Sequence, residues 1–112
     1  MKNVISLQDI AHDRRDQPSY HLASEKHLRI QVFNLDEDET LGPWACDGNV
    51  LITVVDGVIE MSIDAETQRT TPLWQAVVLP HQIFGLTARD AGAVVQLVWA
   101  PPFAELREVS ER

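Results

Sequence analysis

Between Asn49 and Asp64 the chain reads NVLITVVDGVIEMSID, two apolar runs on either side of Asp56-Gly57. Val50, Leu51, Ile52, Val54 and Val55 precede the pair, and Val58, Ile59, Met61 and Ile63 follow it. Side chains that are β-branched or long and aliphatic suit the pleated, half-buried surface of a strand. An Asp-Gly pair between two such runs signals a tight turn, because Gly accepts φ > 0 and Asp tolerates it. The pattern predicts a hairpin, with the second run pairing back on the first.

The same punctuation recurs along the chain. Ser6-Leu7-Gln8-Asp9 has the spacing of a capping box, with Asp where Glu or Gln is usual, and predicts a short helical turn from about Leu7 to His12. His12 to Asp16 is a charged surface stretch closed by Pro18, and Tyr20 to Ser24 reads as an edge strand with Glu25-Lys26 as a turn. Leu28, Ile30 and Val32 alternate with Arg29 and Gln31, the period of a half-buried strand. Phe33 and Leu35 then fall on the opposite parity, which a β-bulge or a strand buried on both faces explains. Asp36 to Glu39 is a solvated acidic loop.

Ala65 to Pro72 is polar and Thr-rich, an exposed strand and turn. Gln75 to Leu79 is a short strand stopped by Pro80, which has no N–H to donate. Ile83 to Arg89 is another, with a turn at Asp90-Ala91-Gly92. Ala93 to Ala100 (AVVQLVWA) is the most apolar strand, stopped by Pro101-Pro102. The tail is expected to pack through Phe103 and Leu106 and then fray. Many short strands at turn spacing predict one all-β sandwich or barrel domain over residues 1–112.

Composition narrows the partners rather than the fold. At 112 residues and 45% hydrophobic content the chain is long enough for one core. A formal charge of −8 argues against nucleic acid or an anionic membrane as partner. There is no long apolar segment and no leader pattern in MKNVISLQDIAHDRRD, and the one cysteine, Cys46, can form no internal disulfide. The expected location is cytoplasmic.

Three stretches together resemble the cupins, the small RmlC-like jelly-roll barrels. Val54-Val55-Asp56-Gly57 is similar to the hairpin that closes the first cupin motif, and Gly48-Asn49-Val50-Leu51 to the residues leading into it. Val78-Leu79-Pro80 resembles the approach to the second motif, although His81 and Gln82 stand where that pattern has Pro and Gly. The resemblance covers about residues 28–101 and implies a double-stranded β-helix. It also implies a metal site of two His, a carboxylate and a further His. Counting from Gly57 and Pro80, those positions fall at Trp44, Cys46, Val50 and Gly85. One thiol among Trp, Val and Gly holds no Fe, Mn or Zn, so no metal and no cofactor is expected.

The resemblance implies a ligand cavity bordered by Trp44, Cys46, Val50, Ile52, Ile83 and Gly85. Trp44 there either stacks on a flat ligand or fills the volume a metal would take. Cys46 reads as a small buried hydrophobe, since no base stands beside it in the sequence. His12, His21, His27 and His81 share no ligand spacing. Arg29, if its strand face looks inward, suits a carboxylate.

Three functional readings follow. The leading one is a metal-free module binding a small organic molecule. The alternative is a cupin enzyme, either an oxygenase with displaced metal ligands or a metal-free isomerase or lyase. The third is assembly: Ala93 to Ala100 is apolar on both parities, and a homodimer would cover the second face.

Overall fold

Ser6 caps the first element as its spacing predicts: its Oγ accepts the Asp9 N–H at 3.2 Å, and α1 runs Leu7–His12. The computed structural model describes residues 5–12, 18–24, 29–100 and 105–109. Everything after α1 within those ranges is strand, turn or loop: β1 Ser19–Ser24, β2 Arg29–Leu35, β3 Thr40–Cys46, β4 Asn49–Ile63, β5 Glu66–Thr70, β6 Gln75–Val78, β7 Phe84–Ala100 and β8 Leu106–Glu108. The turn read at Glu25-Lys26, the charged stretch 13–16, His27, Pro101-Pro102 and Phe103 lie outside the described residues.

The eight strands form one antiparallel sheet that curls into two layers. β4 and β7 lie side by side along their whole length and belong to both layers. The first layer has the order β1-β2-β7-β4-β6 and uses residues 93–100 of β7 and 49–56 of β4. The second has the order β8-β3-β7-β4-β5 and uses residues 84–89 of β7 and 58–63 of β4. The tail therefore does not simply fray: Leu106–Glu108 adds a strand to β3, and Leu106 packs on the core.

Asp56-Gly57 corrects the hairpin expectation. Asn49–Ile63 is one strand, and both of its halves pair with β7 rather than with each other. Gly57 does take a positive φ, 80°, but spends it on a bulge where the register jumps from Val54 to Asp56 to Val58. Asp90-Ala91-Gly92 is likewise no chain reversal. It is the matching irregularity in β7, with Asp90 at φ 66°. Two facing bulges bend both strands together, which turns one layer into the other without breaking the ladder. A tight turn and a bulge ask the same backbone freedom of Gly, so the pair alone does not distinguish them.

Each bulge also shifts side-chain parity. Val50, Ile52 and Val54 point into the core before it, and Ile59 and Met61 after it. On β7 the inward set is Phe84, Leu86 and Ala88, then Ala93, Val95, Leu97 and Trp99. These buried side chains form one core between the layers, each large aliphatic contributing roughly 1.5–3 kcal/mol.

Val32 and Phe33 are both buried because β2 is covered on two faces. Phe33 and Leu35 join the main core. Val32 joins Val55 and Val94 on the outer face of the first layer, under Ile10 of α1 and Tyr20 of β1. The helix thus covers, within one chain, part of the second face of 93–100 that prompted the dimer expectation.

Candidate functional site

The interior where a cupin metal would lie is filled by rings. Trp44 sits on β3 just past the irregular Gly42-Pro43 step, half-buried, with its ring centroid 5.7 Å from Phe33 and 6.2 Å from Phe84. The Phe84 contact is edge-on at 80°, the favoured arrangement for aromatic quadrupoles. Cys46 is fully buried, and its Sγ accepts the Gly48 N–H at 3.4 Å. Val50 and Ile52 are buried in the same core.

Ile83 and Gly85 fall elsewhere, because counting from Pro80 runs one residue out of step with the strand. The inward side chains are Phe84 and Leu86. Ile83 lies before β7 and is 42% exposed, while a Cβ on Gly85 would meet Ser62 Oγ on the outer face at 3.2 Å. A one-residue slip moves every side chain of a strand to the other face. The donor set at Trp44, Cys46, Val50 and either Phe84 or Gly85 does not fit a transition metal. Among the described residues no three His, Cys, Asp or Glu gather as a metal would need.

The histidines stay apart in the described structure. His21 is exposed on β1, opposite Gln31. His81, at φ 70°, donates its backbone N–H to the Cys46 carbonyl, and its Nδ1 is 3.8 Å from Asp47 Oδ1. Arg107 contacts the same Asp47 oxygen at 2.8 Å. Arg89 ties the acidic loop to the second layer through Asp38 and Glu60, each at 3.1 Å. The hydrogen bonds that it donates, to Glu60 first and then to Asp38, raise the pKa of its guanidinium above the ordinary value.

Arg29 does look inward, as its position beside Trp99 in the ladder requires. Its guanidinium carbon lies 5.7 Å from the centre of the Trp99 ring, a cation–π contact. Arg29 Nε and Trp99 Nε1 are both buried without a hydrogen-bond partner among the described residues.

An open space lies at the unpaired edge between the layers, bounded by β5 and β6. A cleft of about 300 Å³ there has a floor of Met61, Ile63 and Ala76, which pack on the core. One wall is β5. Its Glu66, Gln68 and Thr70 pair with Ile63, Met61 and Ile59, so all three share the inward face of the second layer. The lining also includes Trp74, 46% exposed, on a turn fixed to β4 by two hydrogen bonds of 2.9 Å, Leu73 N–H to the Val54 carbonyl and Val54 N–H to the Trp74 carbonyl.

None of the six residues expected to border a cavity lines this cleft. The signal for it was present in ETQRT (66–70), a strand polar on both parities whose inward parity should be apolar if it only packed. A tryptophan directly after the Pro72-Leu73 turn was the second signal.

No protein-family model matches the chain, and no curated protein sequence is significantly similar to it. Solved structures are similar. A conserved protein with a double-stranded β-helix domain from Klebsiella pneumoniae aligns at TM-score 0.79 and 14% identity, over 96% of this chain and 97% of that one. An RmlC-like cupin from Shewanella frigidimarina aligns at TM-score 0.69 and 19% identity, over 74% of each chain. A conserved protein of unknown function from Streptococcus pyogenes aligns at TM-score 0.71 and 28% identity, over 88% of this chain and 87% of that one. The fold is the cupin double-stranded β-helix of the RmlC-like proteins, and this chain lacks the usual metal-binding histidines. No helix among the described residues is long and apolar enough to cross a membrane.

Proposed function

We propose that the protein is a cytoplasmic, metal-free binding module that holds a small organic molecule in the cleft between β5 and β6. The cleft itself carries this reading: about 300 Å³ over the apolar floor of Met61, Ile63 and Ala76, walled by an exposed indole and a few polar side chains. That volume is at the small end of the range for ligand sites, and the mix of apolar floor and sparse polar groups is typical of them. The Trp44–Phe33–Phe84 packing supports the same choice, since it occupies the interior with side chains and leaves the edge as the place for a guest.

The module is proposed to work as a homodimer joined through the outer face of the first layer. On that face Ile30, Val98, Leu51 and Val77 stand in one cross-strand row, with Val77 62% exposed. The outer face of the second layer carries Thr40, Glu60, Ser62, Thr87 and Arg89, a polar surface with no such row.

The test is a fragment screen read by protein-detected NMR. Hits should perturb the Trp74 indole and the amides of Glu66 to Thr70, and Ala76→Trp, which fills the cleft, should abolish them. Hits that perturb only other regions would overturn the reading.

A further inference from the structure

The cleft lining is one-sided in charge: Glu66 is its one ionisable side chain, and none is basic. Thr70 spends its one hydroxyl donor within the protein, and Gln68 spends one of its two amide N–H donors. Gln68 Nε2 donates to the Arg69 carbonyl at 3.2 Å, and Thr70 Oγ1 donates to the Ile59 carbonyl at 2.8 Å. Gln75 Nε2 donates to Thr53 Oγ1 at 3.0 Å, away on the outer face. What remains in the lining is acceptor capacity on Gln68 Oε1 and Thr70 Oγ1 beside donors on Gln68 Nε2, the Thr67 hydroxyl and the Trp74 indole, so its neutral groups are mixed.

Glu66 adds a carboxylate, which when ionised only accepts. It lies on the inward face opposite Ile63 and makes no hydrogen bond or ion pair with any described residue. No Lys, Arg or His lines the cleft, although Arg69 stands within the same strand. Arg69 has the opposite parity and is tied outside to Asp90. The same cleft is lined by the Trp74 indole, whose π face attracts cations.

One negative charge with no partner among the described residues, an indole, and no basic side chain in the lining together suit a positive guest. We propose that the cleft selects an organic cation, a primary to quaternary amine carrying a small apolar body. The ammonium lies between Glu66 and Trp74, and the apolar body lies on Met61, Ile63 and Ala76. A carboxylate or phosphate guest would meet Glu66 with no basic side chain in the lining to receive it. The net charge of −8 acts in the same direction over longer range.

This inference rests on the proposed binding function, and the two can fail separately. The probes are benzyltrimethylammonium, benzyl alcohol and benzoate, three compounds with one ring and different charge, titrated by NMR at low salt. The cation should bind at least tenfold more tightly than the alcohol, with benzoate showing no saturable shift. Glu66→Gln, an exposed substitution, should remove that preference, and Trp74→Leu should weaken the cation more than the alcohol. Raising the ionic strength should weaken the cation alone.

Equal binding of cation and alcohol, unchanged in Glu66→Gln, would overturn the inference while leaving the binding function standing. Glu66 would then act only as an inward charge that keeps the β5 edge from pairing with another strand. Binding of none of the three would overturn the inference. It would count against the binding function only if the wider fragment screen were also empty.

Discussion

Gly57 lies against the backbone of Gly92 and Ala93: a Cβ added to Gly57 would stand 2.6 Å from the Gly92 carbonyl oxygen and 2.8 Å from Ala93 Cα. Both contacts are with backbone or its immediate substituent, so no side-chain rotation relieves them. The φ of 80° adds a penalty of roughly 1–2 kcal/mol for any residue with a Cβ. Gly57→Ala is therefore expected to cost about 2 kcal/mol or more, measured as a lower urea midpoint at unchanged slope. A loss under about 0.5 kcal/mol would mean that the two bulges do not touch as described.

Trp44 between Phe33 and Phe84 predicts a different kind of loss. Trp44→Ala removes the ring that fills the interior, and truncating a buried Trp typically costs about 3–5 kcal/mol. Half-burial puts this case at the lower end of that range. Trp44→Phe should cost less than half as much, because a ring remains to meet Phe84. The two denaturant midpoints, compared with the parent, decide it.

Arg29 over Trp99 gives a prediction with opposite signs for two substitutions. Arg29→Met keeps an apolar stem over the indole and removes a buried Nε that has no partner among the described residues. An unsatisfied buried donor costs about 1–3 kcal/mol, and a cation–π contact returns about 0.5–2. Arg29→Met should thus be neutral or stabilising, whereas Arg29→Ala uncovers Trp99 and should destabilise. Equal losses in both would show that the guanidinium, not its stem, carries the interaction.

The row of Ile30, Val98, Leu51 and Val77 predicts the oligomeric state. Light scattering should give twice the chain mass at micromolar concentration. Val77→Lys, a change at an exposed position, should return the monomer without lowering its melting temperature by more than a few degrees. A monomer mass for the parent protein across that range would remove the dimer.

The parts of the fold that were legible in the sequence are those decided locally. The Ser6 cap, the edge strand at Tyr20, the strand through Arg29 to Val32 and the stop at Pro80 each depend on residues a few positions apart. The alternation did not give the inward face of that Arg29 strand, since Arg29 and Gln31 lie beside the inward Trp99 and Leu97. Asp56-Gly57 was legible as a place of positive φ and not as a bulge, since the difference lies in a partner strand more than thirty residues away. The same distance effect governs the site. Ile83 and Gly85 were placed by counting from Pro80, and their faces depend on where β7 enters its ladder with β4. The cleft needed β5 and the Trp74 turn to meet across an edge, which no spacing along the chain expresses.

Because β7 is the inner neighbour of β2 and β4 in one layer and of β3 and β4 in the other, it is the last strand of either layer's centre to be synthesised. Until residues 84–100 have left the ribosome, β2, β3 and β4 expose long apolar edges with no partner to zip onto. Pairings this distant in sequence close slowly, on the millisecond-to-second scale of all-β topologies. A nascent chain halted before Phe84 should therefore be protease-sensitive and held by chaperones, and one halted beyond Ala100 should not.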